Sequence, residues 1–430
     1  MITPVQDRRR KLPMISPTLE INERVNKLQH EGVDILHLAF GEAGLPVPEI
    51  LCEALRAAVS QNSYGSVAGS AELRDSVAGY FSRRQLPTSA DQIAIGPGSK
   101  ALLYGLLLAI DGDVVIPRPS WVTYAPQVSL VGRVPIPVDI PRSCGGVPDP
   151  DILADQILEA RRRGLSPKAV IITQPDNPTG TLASAEVLQQ LAAIAREHNL
   201  WIISDEIYRD LTHNPSDYVS MAAIAGENTV VTSGLSKSLA LGGWRLGVLR
   251  VPDNTAGDVL RRDVIGIASE IWSCVAAPVA AAAQIAFEEP SEIRSYVQAA
   301  RHLHARVSAA IFHVFLEAGV SCMRPTACFY MYPDLEQARR FFHSKGIYTD
   351  SAASRYLLDE QHIAILPGSA FGDTATDFRF RVATSLLYGT SNEERAAAMD
   401  WAVSGRCDVP SQISAAQERL RIMLTAVIGA

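Results

Sequence analysis

Apolar runs of strand length alternate with helical patterns through the middle of the chain. Val114–Ile116, Ala169–Thr173 and Leu200–Ser204 are short, continuous and rich in β-branched residues, as buried parallel strands are. Between the last two, apolar residues from 187 to 195 recur on one helical face, and Ser184 precedes them as a candidate N-cap. This strand–helix–strand order predicts an α/β fold, with a large domain built on a mainly parallel sheet flanked by helices.

The two ends of the chain have a different pattern, with fewer parallel-strand signals and more long helical stretches. A chain of 430 residues is also too long for one hydrophobic core. We therefore expect a large domain over residues 46–299 and a smaller α+β domain built from residues 1–45 and 300–404. Residues 405–430 are expected to form a C-terminal helical extension.

The bulk composition narrows the function classes. The net charge is −7 and the basic residues form no stripe, so we expect no nucleic-acid partner. No apolar run is long enough to span a bilayer, so we expect no membrane association. The six cysteines are scattered without a CxxC pair, which predicts reduced thiols, a cytoplasmic location and no metal site.

The polar loops that follow the predicted strands carry the candidate chemistry, because ligands of such sheets bind beyond the carboxyl ends of the strands. The strand Thr229–Thr232 leads into a segment of small and hydroxylated residues around Lys237. Desolvation in a cleft disfavours the ammonium form of lysine, which leaves an amine able to bond an aldehyde. Together with the nearby hydroxyls and Arg245, this indicates a pyridoxal 5'-phosphate (PLP) site.

Other strand ends supply groups for the cofactor's ring. Asp205 directly follows a strand, and its carboxylate suits the protonated ring nitrogen that makes PLP an electron sink. Asn177 and Tyr208 can donate hydrogen bonds to the ring's 3-oxygen. Trp121 follows another strand end and can stack on the ring. We expect Lys237, Asp205 and Tyr208 to be the catalytic groups.

The cofactor's phosphate needs backbone amides at a helix start, with cationic and hydroxyl donors around it. A helical run begins near residue 101, directly after Gly98, Ser99 and Lys100. The expected phosphate residues are Gly98, Ser99, Lys100, Ser233, Ser236 and Arg245.

A planar guanidinium best holds the α-carboxylate of an amino acid. Arg379 is the predicted residue, and Arg381, two positions further along the chain, is its competitor. Asn177 is expected to contribute to the same substrate-binding region.

Taken together, these motifs resemble the aspartate aminotransferase family, the class I and II PLP enzymes of fold type I. The resemblance runs from about Leu12 to Trp401 and follows the family's order. It is carried by Gly41-Glu42, Asn62-Ser-Tyr-Gly65, Gly98-Ser-Lys100, Asn177-Pro-Thr-Gly180, Asp205-Glu-Ile-Tyr208, Ser236-Lys237, Gly243-Trp-Arg-Leu-Gly247 and Pro367-Gly-Ser-Ala-Phe-Gly372.

The resemblance implies an aminotransferase that moves an amino group from an L-amino acid to a 2-oxo acid in two half-reactions. It also implies that the Gly41 backbone lies beside the substrate carboxylate. Tyr64 would reach the phosphate of a neighbouring subunit, so the resemblance predicts a homodimer with shared active sites.

The sequence departs from the family next to the substrate. Ala43-Gly44-Leu45 stands where the family usually has Pro-Asp-Phe, and residues 264–276 contain no second arginine. These departures favour a neutral or apolar donor side chain over aspartate. They also leave open a PLP-dependent lyase or cyclase that eliminates or substitutes at the β or γ carbon. A non-enzymatic PLP-binding regulator is not favoured, because no helix-turn-helix is predicted.

Overall fold

The computed structural model describes residues 16–429, so residues 1–15 of the predicted small domain and residue 430 of the predicted extension lie outside the described residues. The helices are α1 Pro17–His30, α2 Glu49–Ala58, α3 Ala71–Arg83, α4 Ser99–Ala109, α5 Tyr124–Leu130, α6 Pro150–Arg162, α7 Ala185–Glu197, α8 Met221–Ile224, α9 Thr255–Ile271, α10 Ala277–Glu288, α11 Ser291–Glu317, α12 Arg339–Ser344, α13 Asp350–Gln361, α14 Asn392–Val403 and α15 Ser411–Ile428. The strands are β1 Leu36–His37, β2 Ile93–Gly96, β3 Asp113–Arg118, β4 Pro135–Asp139, β5 Pro167–Thr173, β6 Trp201–Asp205, β7 Thr229–Gly234, β8 Gly247–Arg250, β9 Tyr330–Met331, β10 Ile363–Ala364, β11 Leu366–Pro367 and β12 Phe380–Ala383.

A seven-stranded sheet with the order β2-β8-β7-β6-β5-β3-β4 forms the centre of the large part of the molecule. Strands β3 to β7 pair in parallel, and only β8 runs antiparallel to its neighbours β2 and β7. The predicted α/β fold class is confirmed.

Both faces of this sheet are buried, which explains the continuous apolar runs of its strands. On β5, Ala169 and Ile171 face the core that α4 and α9 cover. Val170 and Ile172 face the opposite core, which α6 and α7 cover. The sheet is therefore rigid, and its polar loops project from the carboxyl ends of the strands.

A second core joins both ends of the described chain. One cluster of buried apolar residues contains Leu36 of β1, Phe315 of α11, Phe378 before β12, and Leu420 of α15. Around it lie the antiparallel sheet β11-β12-β9 and the parallel pair β1-β10. The buried face of α15 completes this core. The domain boundaries at residues 45, 299 and 404 remain a prediction.

No helix between residues 16 and 429 combines the length and the apolar character that crossing a bilayer requires.

Candidate active site

A cleft of about 460 Å³ opens where the carboxyl ends of β5, β6 and β7 meet the start of α4. The polar residues at the ends of these parallel strands lie at one edge of the sheet, as the alternation of strands and helices along the sequence predicts. The small sheet and α1 close the other side. The lining of the cleft includes Gly41, Ser99, Lys100, Trp121, Asn177, Asp205, Tyr208, Ser236, Lys237, Arg245, Tyr330 and Arg381.

Asp205 is the last residue of β6, and its side chain is almost fully buried at the floor of the cleft. The Tyr124 hydroxyl donates to Asp205 Oδ2 over 2.8 Å and lies 2.9 Å from the Thr173 hydroxyl. Burial raises the pKa of Asp205 to about 6, and the Tyr124 hydrogen bond opposes this rise. A carboxylate held in this way retains its negative charge near neutral pH.

The other oxygen of this carboxylate, Asp205 Oδ1, is buried and has no hydrogen-bond partner within residues 16–429. A buried, charged acceptor without a donor is costly, so this position calls for a ligand N–H. The protonated ring nitrogen of PLP supplies such a donor, and the site therefore fits the cofactor on an observation of its own geometry.

Lys237 follows β7 by three residues and projects into the same cleft. Its Nζ donates to the Gly41 carbonyl oxygen over 2.5 Å and lies 5.8 Å from the centre of the Tyr208 ring. Burial lowers the pKa of Lys237 to about 8, and the positive charges of Arg381 and Arg245 lower it further, whereas Glu42 opposes them. This lysine therefore loses its proton more readily than an exposed lysine does.

The start of α4 provides the expected anion site. Ser99 is the first residue of this 11-residue helix, and Gly98 precedes it with a φ of 86°. A Cβ at Gly98 would collide with the guanidinium of Arg245, so glycine lets that cation approach the helix terminus. Ser99, Ser236 and Arg245 all line the cleft, which gives backbone amides, hydroxyls and a cation for a phosphate.

Ser233 was predicted at the same phosphate site, but the structure does not bring it into the cleft lining. It is buried within β7, and its hydroxyl donates to the Glu206 carbonyl oxygen over 3.4 Å. Ser233 lies one residue before the end of β7, whereas Ser236 follows the strand and lines the cleft.

Trp121 and Lys100 lie together at the mouth of the cleft. The Trp121 ring packs edge-on against Tyr124, with ring centres 5.3 Å apart. The Lys100 ammonium lies 5.1 Å from the centre of the Trp121 ring. Lys100 is solvent-exposed and forms no ion pair with a carboxylate anywhere in the described part of the chain. Its backbone amide belongs to the first turn of α4, whereas its side chain extends to the mouth.

The expectation that Arg379 holds the substrate carboxylate needs correction. Arg379 lies outside the cleft, and its side chain is 37% exposed. Its guanidinium lies 3.5–3.9 Å from carboxylate oxygens of Asp334, Asp373 and Asp377. These carboxylates already neutralise its charge. Arg381, the competitor, is the arginine that lines the cleft.

Arg381 is 2% exposed, and no carboxylate in residues 16–429 forms an ion pair with it. It donates to the Ala39 carbonyl oxygen over 2.6 Å and to Asn177 Oδ1 over 3.2 Å. Burial lowers the pKa of its guanidinium, because the charged form is poorly solvated. A buried cation without an anion, in contact with Asn177 and the cleft, is suited to bind a ligand carboxylate.

Of the remaining predicted residues, Asn177, Tyr208 and Gly41 line the cleft and Tyr64 does not. Asn177 and Tyr208 lie next to each other, with Asn177 Nδ2 and the Tyr208 hydroxyl 3.5 Å apart. Gly41 lines the cleft through its carbonyl group. Tyr64 is 93% exposed and lies outside the cleft of its own chain.

Several lining residues were missed by the sequence reasoning. Tyr124 could have been found, because it follows Trp121 by one helical turn and so lies near the same strand end. Tyr330 comes from the small antiparallel sheet, and Ser16, Thr18 and Leu19 come from the start of α1. These residues reach the cleft only through the packing of the chain ends, for which no local pattern exists.

Comparison with known proteins gives a consistent result. The family model for class I and II aminotransferases matches residues 33–387. The aspartate aminotransferase of Bacillus subtilis (strain 168) is 31% identical over 86% of this chain and 92% of its own length. The aspartate/prephenate aminotransferase of Thermus thermophilus is 30% identical over 90% of this chain and 94% of its own length. A solved structure of aspartate aminotransferase from Thermus thermophilus with maleate superimposes with a TM-score of 0.78, at 28% identity, over 90% of this chain and 96% of that one.

Proposed function

Because the chain belongs to the class I and II aminotransferases, which are PLP-dependent transaminases, we propose that its preferred donors and acceptors carry a second carboxylate. The observation that carries the proposal is Lys100, an ammonium at the cleft mouth with no carboxylate partner among residues 16–429. Thr18, whose buried hydroxyl oxygen also lacks a partner in this range, lines the same cleft. These two groups suit a side-chain carboxylate of the aspartate or glutamate type.

This proposal replaces the expectation of a neutral or apolar donor. That expectation rested on the Ala43-Gly44-Leu45 segment and on the absence of a second arginine. In the proposal, Lys100 on the first turn of α4 takes the place of the missing arginine. The names of the relatives agree, since those from Bacillus subtilis and Thermus thermophilus are aspartate or aspartate/prephenate aminotransferases. The solved structure with maleate contains a dicarboxylate.

The residues of the cleft divide the work of the transfer. Bound PLP supplies an electron sink for the negative charge that develops on the donor's α-carbon. Asp205 would hold the proton on the ring nitrogen, and Asn177 and Tyr208 would donate to the ring oxygen. Arg381 holds the donor's α-carboxylate, and the amine of Lys237 removes the proton from the α-carbon. The start of α4, Ser236 and Arg245 would hold the phosphate.

We also propose that the active sites are shared in a cytoplasmic homodimer. Tyr64, 93% exposed on its own chain, has a role in phosphate binding only if a neighbouring site is close. Val59 and Ile271 are also exposed apolar residues, as a contact surface requires. The free cysteines of the chain are compatible with a reducing compartment.

Lys100→Ala tests the substrate proposal. We expect kcat/KM for L-aspartate to fall about 10- to 100-fold, because a charge-assisted contact is lost. The value for L-alanine should change less than about threefold, and PLP affinity should be retained. Steady-state kinetics with both donors and a fluorescence titration of PLP measure these quantities. Lys168→Ala, which removes an exposed lysine of β5, is the matched control.

Two outcomes would contradict the proposal. A parallel loss with aspartate and alanine, accompanied by weaker PLP binding, would assign the Lys100 side chain to the phosphate. Unchanged aspartate kinetics would show that Lys100 does not bind the second carboxylate.

A further inference from the structure

The Tyr330 hydroxyl lies at the junction between the cofactor side and the substrate side of the cleft. Tyr330 begins β9, and its backbone pairs with Ala383 of β12. On the other side, a Cβ at Gly180 would collide with the Tyr330 carbonyl, so the turn after Asn177 packs directly on this strand. Tyr330 is 1% exposed. Its ring therefore occupies a fixed position.

Three polar groups surround this ring. The Tyr330 and Tyr208 hydroxyl oxygens are 2.9 Å apart. The Tyr330 hydroxyl also points at the Gly41 carbonyl oxygen over 3.4 Å. The guanidinium carbon of Arg381 lies 4.8 Å from the ring centre. Tyr330 thus contacts Tyr208, the proposed ring-oxygen donor, and Arg381, the proposed carboxylate-binding residue.

The number of protons decides how the two hydroxyls are oriented. Each phenol has one proton to donate and can also accept. If Tyr208 donates to an anionic ring oxygen, it cannot also donate to Tyr330, so a hydrogen bond between the two hydroxyls then requires Tyr330 as the donor. The Gly41 carbonyl oxygen is the other acceptor within reach of Tyr330, but it is 3.4 Å from the Tyr330 hydroxyl, against 2.9 Å for the Tyr208 oxygen.

We propose that Tyr330 is a positioning residue, which donates its hydroxyl proton to Tyr208 and so directs the Tyr208 proton to the cofactor's ring oxygen. A donor that itself accepts a hydrogen bond is polarised, so the chain of two hydroxyls holds the anionic oxygen more strongly than Tyr208 alone. The inference rests on the role of Tyr208 given under the proposed function. The family resemblance assigned no role to Tyr330.

Among residues 16–429, no carboxylate is among the charged groups that act on Tyr330. The charged and titratable groups that act on the two phenols are Arg381 and Cys328, and Lys237 lies beside Tyr208. Burial raises the pKa of Tyr330 to about 12, and Arg381 opposes this rise. Both phenols are therefore neutral at working pH and act as hydrogen-bond donors.

Spectrophotometric pH titration of the PLP-loaded protein tests the inference without measuring turnover. Stabilising the ring oxygen as an anion lowers the apparent pKa of the bound chromophore. Tyr208→Phe should raise this apparent pKa by about 1–2, and Tyr330→Phe should raise it by roughly 0.3–0.7. The double variant should match Tyr208→Phe alone, because Tyr330 acts through Tyr208. Tyr388→Phe is the matched control, since its buried hydroxyl bonds His304 and lies outside the cleft.

The outcomes separate the inference from its premise. If Tyr330→Phe leaves the apparent pKa unchanged while Tyr208→Phe raises it, Tyr330 is only a packing residue and the inference is wrong. If the two single effects add in the double variant, Tyr330 acts independently of Tyr208, which also overturns it. If Tyr208→Phe has no effect, the proposed role of Tyr208 itself fails.

Discussion

The cofactor side and the substrate side of the cleft are built in different ways. On the cofactor side, Asp205 ends one of three neighbouring parallel strands, and Asn177 and Lys237 follow the other two. Ser99 begins the helix after another strand. On the substrate side, Arg381 and Tyr330 come from a small antiparallel sheet, and Thr18 comes from α1. The first side is fixed by a rigid sheet with two buried faces. The second is assembled from distant parts of the chain.

This difference shows for which side of the cleft the order of residues along the chain predicts which functional residues lie close together. A parallel sheet brings successive strand ends together by its topology, so polar residues after each strand must lie near one another. No such rule connects residue 18 with residues 330 and 381. Predictions for the cofactor side should therefore be tested by loss of the reaction, and those for the substrate side by loss of selectivity or affinity.

The largest effect is expected at Lys237. Lys237→Ala removes the amine that bonds the cofactor and moves the α-proton, so kcat should fall by roughly 10⁵-fold or more in a coupled transaminase assay. Retained full activity would contradict every enzymatic account of this site.

Lys237→Ala also tests whether the active sites are shared between two subunits. An equimolar mixture with Tyr64→Ala, unfolded and refolded together, should recover about a quarter of the wild-type sites. In each mixed dimer, one site combines an intact Lys237 with the partner subunit's Tyr64. Activity no higher than that of the two variants refolded separately would place Tyr64 outside the neighbouring site.

The next effect distinguishes the two arginines. Arg381→Gln should lower kcat/KM about 10²- to 10³-fold for every amino donor, because a bidentate contact to the α-carboxylate is lost. Arg379→Gln removes a partly exposed ion-paired group and should change the value less than about threefold. Measuring both variants with the same donors provides the comparison. The reverse ranking would restore Arg379 to the site.

The choice between these arginines shows what periodicity cannot decide. Residues 379 and 381 are two positions apart, so an extended strand directs both side chains to the same face. Only the tertiary surroundings separate them, since carboxylates surround Arg379 whereas Arg381 is buried beside Asn177. The sequence placed Arg379 ahead of Arg381, whereas only Arg381 lines the cleft.

Ser233 and Tyr124 give the matching lesson on the cofactor side. The fold class, the sheet and most strand-end residues followed from the sequence, because strand-end loops are local features. Ser233 differs because it is still within β7, and strand boundaries are uncertain by a few residues from sequence alone. Tyr124 was missed because its partner, Asp205, is 81 residues away.

A smaller effect is expected from Tyr124→Phe. This change removes the hydroxyl that donates to Asp205 Oδ2 and should lower kcat about 3- to 10-fold. The lost hydrogen bond favoured the charged carboxylate, so the pKa of Asp205 should rise. The acid limb of the pH–rate profile should therefore move to higher pH. An unchanged acid limb would show that Asp205 does not control it.

The measurement that tests the central claim most directly is the absorbance of the PLP-loaded protein, titrated with L-aspartate in the absence of any oxo acid. Transamination predicts a single conversion of the bound cofactor to its pyridoxamine form, with one oxo acid released per site. Continued product release over many turnovers, with ammonia or another leaving group, would contradict it and indicate a lyase.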